Sequence, residues 1–362
     1  MKLSLISKLA FLVVMSGSSI QSHAQTSGSS APVPLSLGYT ASSPSATVTI
    51  AQDTDAFKKE GIDLRAVNLT EAGTIIQSVL SGQIELGSTP APAVLQAIAN
   101  GAKLKILSAV DYAFTASSGK LWQAVVLVAP VSKNIRSIAD LKGKKTAVVT
   151  IASTSYVGFV SRLKENNLVP AKDLTVLSMP FTQMGPALVS GEIDSAIITV
   201  TEYVRLQERL PMVMIMTGTE LTKMPMDATQ VLVARDDWLA ANEALAVKSM
   251  RALLATRMFM QDDVRTTGGE RLKESIKRKL GLPDALATAY YDFRMSYAGN
   301  EPPGLNPLEF PASTFTGYCD LLTEGNLLRG KTPPSYEQAV NPQYLKRAAK
   351  ELGLSWTDQK AN

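Results

Sequence analysis

Between Val33 and Met216 the chain alternates two textures: short runs of β-branched and other apolar residues, and stretches whose apolar positions recur every three or four residues. The first marks buried strands and the second marks helices with one apolar face. Strands are predicted at Val33–Tyr39, Ile62–Leu69, Ile84–Gly87 and Lys103–Ala109, with helices at Asp53–Lys59, Thr74–Ser81 and Pro92–Asn100 between them. The pattern recurs with strands at Thr146–Val149, Leu174–Ser178, Ser195–Thr199 and Met212–Met216 and helices at Ser155–Asn166 and Gly185–Val189. Such alternation specifies an α/β protein with mostly parallel sheets flanked by helices. Beyond Arg235 the pattern turns helical, at Ala240–Asp263, Gly268–Leu280 and Pro342–Leu352, with a Pro-rich loop at Glu301–Pro311. Met250, Met258 and Met260 fall at helical spacing and are expected to fill core and helix faces.

The two halves share a phrase, Val79-Leu80-Ser81-Gly82-Gln83-Ile84-Glu85 and Leu188-Val189-Ser190-Gly191-Glu192-Ile193-Asp194, at an offset of 109 residues. In each, a helix is expected to end on a glycine in the left-handed conformation, with a strand starting at the isoleucine. Each copy follows a predicted loop and short helix, Glu71 to Thr74 before the first and Thr182 to Pro186 before the second. Two similar lobes follow, the second inserted into the first. The strand-like run Leu121 to Val128 leaves lobe one and Ala228 to Ala234 returns to it, so two crossings make a hinge. Lobe one is expected to comprise residues 35–123 and 229–362, and lobe two residues 124–228.

Composition narrows the chemistry. Residues 1–24 carry Lys2 and Lys8, a run of about seven apolar residues from Leu9, and small residues at Ser22 and Ala24, the pattern of a secretory signal peptide cleaved before Gln25. A membrane span needs close to 20 apolar residues. Residues 25–34 read as a flexible lead-in, rich in Ser, Gly and Pro. Removal of both leader lysines lowers the net charge from +4 to +2, which gives no case for nucleic acid or an anionic membrane. The single histidine, His23, lies in the leader, and Cys319 is the single cysteine, expected as a packed, inert thiol. The mature chain therefore lacks the residues for a Ser-His-Asp or Cys-His centre or a His/Cys zinc site. No catalytic residue, metal or cofactor is expected, and a monomer is.

Several phrases carry a resemblance. Ala56-Phe57-Lys58-Lys59-Glu60-Gly61-Ile62-Asp63-Leu64, Gly82-Gln83-Ile84-Glu85-Leu86-Gly87, Ile138-Ala139-Asp140-Leu141-Lys142-Gly143-Lys144 and Gly191-Glu192-Ile193-Asp194-Ser195-Ala196 are similar, in order and spacing, to phrases of the type II periplasmic solute-binding proteins of ABC importers. That family takes nitrate, taurine, aliphatic sulfonates and thiamine-pyrimidine precursors. The similarity spans about Leu35 to Ala234 and implies a two-lobed fold and a receptor in the periplasm. Such a receptor captures a small polar or anionic organic molecule between its lobes and delivers it to a permease with its ATPase. The sequence departs from the family at Thr199-Val200-Thr201-Glu202-Tyr203, where an aromatic followed by Asp/Glu-Pro is usual, and at Pro90-Ala91-Pro92, where sulfonate binders carry Gly-Asp.

In open parallel sheets ligands collect beyond the carboxyl ends of the strands. Applied to both lobes, that rule selects Tyr39, Ser42, Glu71, Gly73, Thr74, Ser88 and Thr89 from the first, and Ser153, Thr154, Ser155, Thr182, Gln183, Thr199 and Glu202 from the second. Ser153-Thr154-Ser155 opens a predicted helix, so it offers hydroxyls and free backbone amides to an anion, and it also suits plain helix capping. Glu71 and Glu202 would repel an anion. If they face the cleft they favour a neutral pyrimidine-type heterocycle or a zwitterion, on which Tyr39 and Trp122 could stack; Trp122 equally suits the hinge core. Two rivals share these features: a receptor that feeds a sensor, and a hydrolase using Glu71 and Glu202 from opposite lobes.

Overall fold

The computed structural model describes residues 31–40, 46–69, 71–115, 121–296 and 305–357. The leader, its cleavage point and Ser42 lie outside them. Eleven strands form two sheets among these residues. The first contains β1 (Val33–Tyr39), β2 (Ile62–Asn68), β3 (Leu86–Thr89), β4 (Leu104–Thr115), β5 (Leu121–Trp122) and, from far along the chain, Met226–Arg235. The second contains β6 (Val125–Pro130), β7 (Lys145–Val148), β8 (Thr175–Ser178), β9 (Ser195–Thr199) and β10 (Met212–Thr217), which leaves Met226–Arg235 as β11.

The sheets repeat one topology. The first runs β2-β1-β3-β11-β4-β5 and the second β8-β7-β9-β6-β10. In each, the first three strands are parallel and the fourth, β11 or β6, is antiparallel to both neighbours. Those reversed strands are the ones the chain enters on crossing between sheets. Apolar clusters cover both faces of each sheet, as the near-continuous apolar runs require.

The 109-residue offset extends beyond the shared phrase. The helices Ala72–Ser81 and Phe181–Ser190 stand in register and end on Gly82 and Gly191, both left-handed with φ of 78° and 77°. The strands do not start at the isoleucines. Ile84 and Ile193 are buried plugs whose amides bond back to the preceding helix, and β3 and β9 begin two residues later. The acids that follow do matching work: Glu85 accepts from the Ser36 amide of β1 at 2.7 Å, and Asp194 from the Lys145 amide of β7 at 2.9 Å.

Three other expectations are corrected. The helix expected at Asp53–Lys59 is confined to Ala56–Lys59, and a second one, Ala46–Ala51, forms in a run whose β-branched residues disfavour it. Tertiary context overrides propensity there: the Asp111 carboxylate on β4 accepts from the Ala46 and Thr47 amides at 2.6 and 3.3 Å. The helix expected from Gly185 begins four residues earlier, at Phe181, and continues through Pro186. Proline costs it one backbone bond, while Phe181, Met184, Ala187 and Leu188 bury a common face. Finally, the run Leu121 to Val128 is not one strand. It breaks after Trp122, and the chain changes sheet at Gln123 and Ala124.

Gln123 ties the two crossings together. Its buried carboxamide donates to the Thr219 hydroxyl at 3.0 Å and accepts from the Thr219 amide at 3.2 Å, and Thr219 lies in the short helix Gly218–Thr222 between β10 and β11. Beside it, Trp122 is buried against Phe114 with ring centroids 4.8 Å apart, and its indole donates to the Ser296 hydroxyl. Met250 and Met260 are buried while Met258 is surface-exposed. Cys319 is buried in the helix Ala312–Glu324, where burial pushes its thiol up to about 11. Gln123→Ala strands the buried Thr219 amide, worth about 1–3 kcal/mol when unsatisfied, and leaves its hydroxyl only the 3.4 Å contact with Thr217. The variant's urea midpoint should fall accordingly, and an unchanged midpoint would deny the contact its role.

Candidate functional site

A cavity opens where ends of both sheets converge. From the first sheet's side it takes Thr40 after β1, Glu71 and Ala72 at a helix start, Pro90 after β3 and Ala113 of β4. From the second it takes Val149 and Thr150 after β7, Ser153 to Ser155, and Phe181. The crossings contribute Ala124, Val125 and Gly218. These are the strand-end positions at which α/β sheets collect ligands. The walls are mainly apolar, which makes the few polar groups decisive.

Three of those polar groups come from β11. Its register against β4 slips between Asp227 and Gln230, and again before Val231. Bulges bend a strand and re-aim its side chains, and here Asp227, Thr229 and Gln230 all line the cavity although the strand is otherwise apolar up to its terminal Arg235. The Tyr318 phenol donates to one Asp227 oxygen. Burial lifts the Asp227 carboxyl to about 7, against the Tyr318 hydrogen bond and the Arg294 charge, which pull it down. Tyr318 is raised well above its ordinary value by burial and then by Asp227.

The helix Thr154–Glu165 brings the Ser153-Thr154-Ser155 segment to the opposite wall. Its members divide the work. Ser153 is the N-cap, accepting from the Tyr156 amide at 3.2 Å while donating to the Thr150 carbonyl at 2.9 Å. Thr154 has a buried hydroxyl, close to the Tyr318 phenol, that completes no well-formed hydrogen bond.

A second cavity adjoins the first, sharing Ala124 and Phe181 as walls. Thr182, Thr199 and Glu202 line it with Arg205, Lys279 and Arg294. Thr199 caps the helix Val200–Gln207 by accepting from the Glu202 amide at 3.2 Å. Burial raises Glu202, opposed by Arg205 and Arg209, and Arg205 bonds its carboxylate at 3.2 Å. Gly185 makes room for that carboxylate, because a Cβ there would overlap it.

The expected site residues therefore separate. Glu71, Ser153, Thr154 and Ser155 line the first cavity, and Thr182, Thr199 and Glu202 the second. Tyr39, Gly73, Thr74, Ser88, Thr89 and Gln183 line neither. Tyr39 packs instead against the core on the far face of the first sheet, and its neighbour Thr40 takes the cavity position. Gly73, Thr74 and Gln183 point to solvent from first helical turns, not from loops, because both helices begin earlier than the glycine and proline suggest. Ser88 and Thr89 are buried within β3. Trp122 is buried against Phe114 beside the first crossing and lines neither cavity. Sequence reasoning missed Asp227, Thr229 and Gln230, although three polar residues inside an apolar strand were a usable signal.

The family model described as NMT1/THI5 like matches residues 43–263. No curated protein sequence matches the chain. Among solved structures, the periplasmic aliphatic sulphonate binding protein SsuA from Escherichia coli is similar over 83% of this chain and 90% of that one, with a TM-score of 0.65 at 20% identity. The periplasmic nitrate-binding protein NrtA from Synechocystis PCC 6803 is similar over 89% of each chain, with a TM-score of 0.64 at 14% identity. The desulfurization enzyme DSZB is similar over 88% of this chain and 99% of that one, with a TM-score of 0.59 at 10% identity. The chain has the type II periplasmic binding protein fold.

Two outcomes test this geometry. Ser153→Ala should cost about 0.5–2 kcal/mol of stability as a lost cap, whereas Thr154→Val, which removes an unpartnered buried hydroxyl, should cost nothing or stabilise; equal losses would contradict the division of roles. For Asp227, both folded and unfolded states are protonated below about pH 4, and only the folded state keeps the proton between there and about 7. Its contribution to stability therefore falls as pH rises through that window. Asp227→Asn should gain melting temperature relative to the parent between pH 4 and 8, and a constant difference would refute the raised carboxyl.

Proposed function

The chain belongs to the NMT1/THI5-like family, and on that premise we propose that it is a periplasmic solute-binding receptor of an ABC importer. It captures a small polar or anionic organic molecule between two lobes and hands it to a permease with its ATPase. The observation that carries this reading is the cavity walled by both sheets and floored by the two crossings, with polar groups in a mainly apolar lining. Lobe two corresponds to residues 124–228 and lobe one to the flanking segments, with Gln123 at the hinge. Periplasmic location accords with the sulfonate- and nitrate-binding neighbours, and among the described residues no helix is long and apolar enough to cross a membrane.

Similarity to a desulfurization enzyme favours weighing turnover as a second reading. The pair of carboxylates invoked for it, Glu71 and Glu202, lines separate cavities, and Glu202 is bound to Arg205. Binding is the better account.

A thermal-shift screen over taurine, alkanesulfonates, nitrate, aromatic carboxylates and pyrimidines should find a stabilising compound. At 100 times its dissociation constant such a compound adds about 2.7 kcal/mol. Small-angle scattering should show a smaller radius with it bound, and mass spectrometry should recover it unchanged. A screen without a hit would remove the receptor reading, and a converted ligand would replace it with an enzyme.

A further inference from the structure

We propose that this cleft selects an amine-bearing organic acid with a ring-sized apolar body over a simple oxyanion, with Asp227 as the residue that sets the preference. The inference rests on the receptor reading and narrows its ligand class.

Charge is segregated between the two cavities. Among the described residues, no lysine, arginine or histidine lines the first cavity, while two acids do, Asp227 and Glu71. A lone oxyanion there would meet the Asp227 and Glu71 carboxyl groups across a mainly apolar lining, with the Arg294 charge reaching Asp227 only from the adjoining cavity. Desolvated charge is costly unless paired, so that arrangement selects against it. The second cavity carries Arg205, Lys279 and Arg294. Glu202, Asp53 and Asp111 partner them at 3.2, 3.1 and 3.5 Å, leaving the cavity balanced but lined with N–H donors.

Unfilled hydrogen-bonding capacity points the same way. Tyr318 donates to one oxygen of Asp227, and no described residue donates to the other. Gln230 lines the same space with a carboxamide that can accept as well as donate. A charged donor arriving with the ligand can take the open oxygen of Asp227, and hydrogen bonds to charged groups are the stronger kind. A molecule reaching across Ala124 and Phe181 sets its amine on Asp227, its body against Val125 and Phe181, and its acid toward Arg205 and Lys279. Taurine lacks a body that would fill these apolar walls.

The test uses the whole protein and two matched probes, para-(aminomethyl)benzoate and para-ethylbenzoate, which differ in an ammonium against a methyl group. Calorimetric titration should give at least tenfold tighter binding of the aminated acid. Asp227→Asn, checked for a cooperative melt and native circular dichroism, should erase that preference, and Glu71→Gln should reduce it less. Equal affinities, preference for the ethyl compound, binding of neither, or a preference that survives Asp227→Asn would each overturn the proposal. The receptor reading has a separate fate: a simple sulfonate or nitrate emerging from the broader screen would sustain it while this inference fell.

Discussion

One buried carboxamide joins the two passages of the chain between its sheets. Gln123 sits at the first crossing and Thr219 at the second, and the reciprocal pair between them satisfies a donor and an acceptor on each side. Buried polar groups demand such partners, so the two crossings are fixed relative to each other by the same contact that prevents an energetic penalty. Both cavities meet at Ala124, the next residue. Crossings that also floor a cavity are thereby held in one arrangement at its centre.

From those crossings the architecture repeats. Each sheet reverses the strand entered directly after a crossing, β6 or β11, and the first sheet also reverses the two-residue β5 at its edge, while the remaining strands keep the same order. The repetition reaches single interactions, since Glu85 and Asp194 each hold the amide of the neighbouring parallel strand. What differs is the chemistry at equivalent ends. Glu71 precedes one helix and Pro180 the other, while Pro90 and Thr199 exchange roles after β3 and β9. A duplicated scaffold thus presents unlike walls to whatever lies between them, which a receptor for an asymmetric molecule requires.

The polar content of the first cavity depends on irregularity. A regular β11 would alternate its side chains between two apolar layers, and an acid on either would be buried without solvent or partner. The register slips beside Asp227 and Gln230 turn that segment toward the cavity, and Tyr318 from the C-terminal helical region supplies the hydrogen bond that makes the acid tolerable. Burial still lifts the carboxyl to about 7, the mark of a group whose surroundings leave it incompletely compensated.

Local signals were enough for much of this molecule. Apolar runs located β1 and β9 to the residue, the repeated Gly-x-Ile-acid phrase revealed the duplication, and the strand-end rule drew Glu71, Ser153 to Ser155, Thr182, Thr199 and Glu202 to cavity walls. Those features are short-range: periodicity, capping and glycine backbone freedom act within a few residues. Tertiary structure decided the rest. The helix Ala46–Ala51 exists because Asp111, 65 residues away, receives its first amide, and the chain changes sheet at Gln123 because Thr219, 96 residues on, completes its bonds. Asp227 came to line the cavity through a register slip and a partner 91 residues distant. Local sequence does not encode such pairings, since each depends on which distant group packing brings within hydrogen-bonding distance.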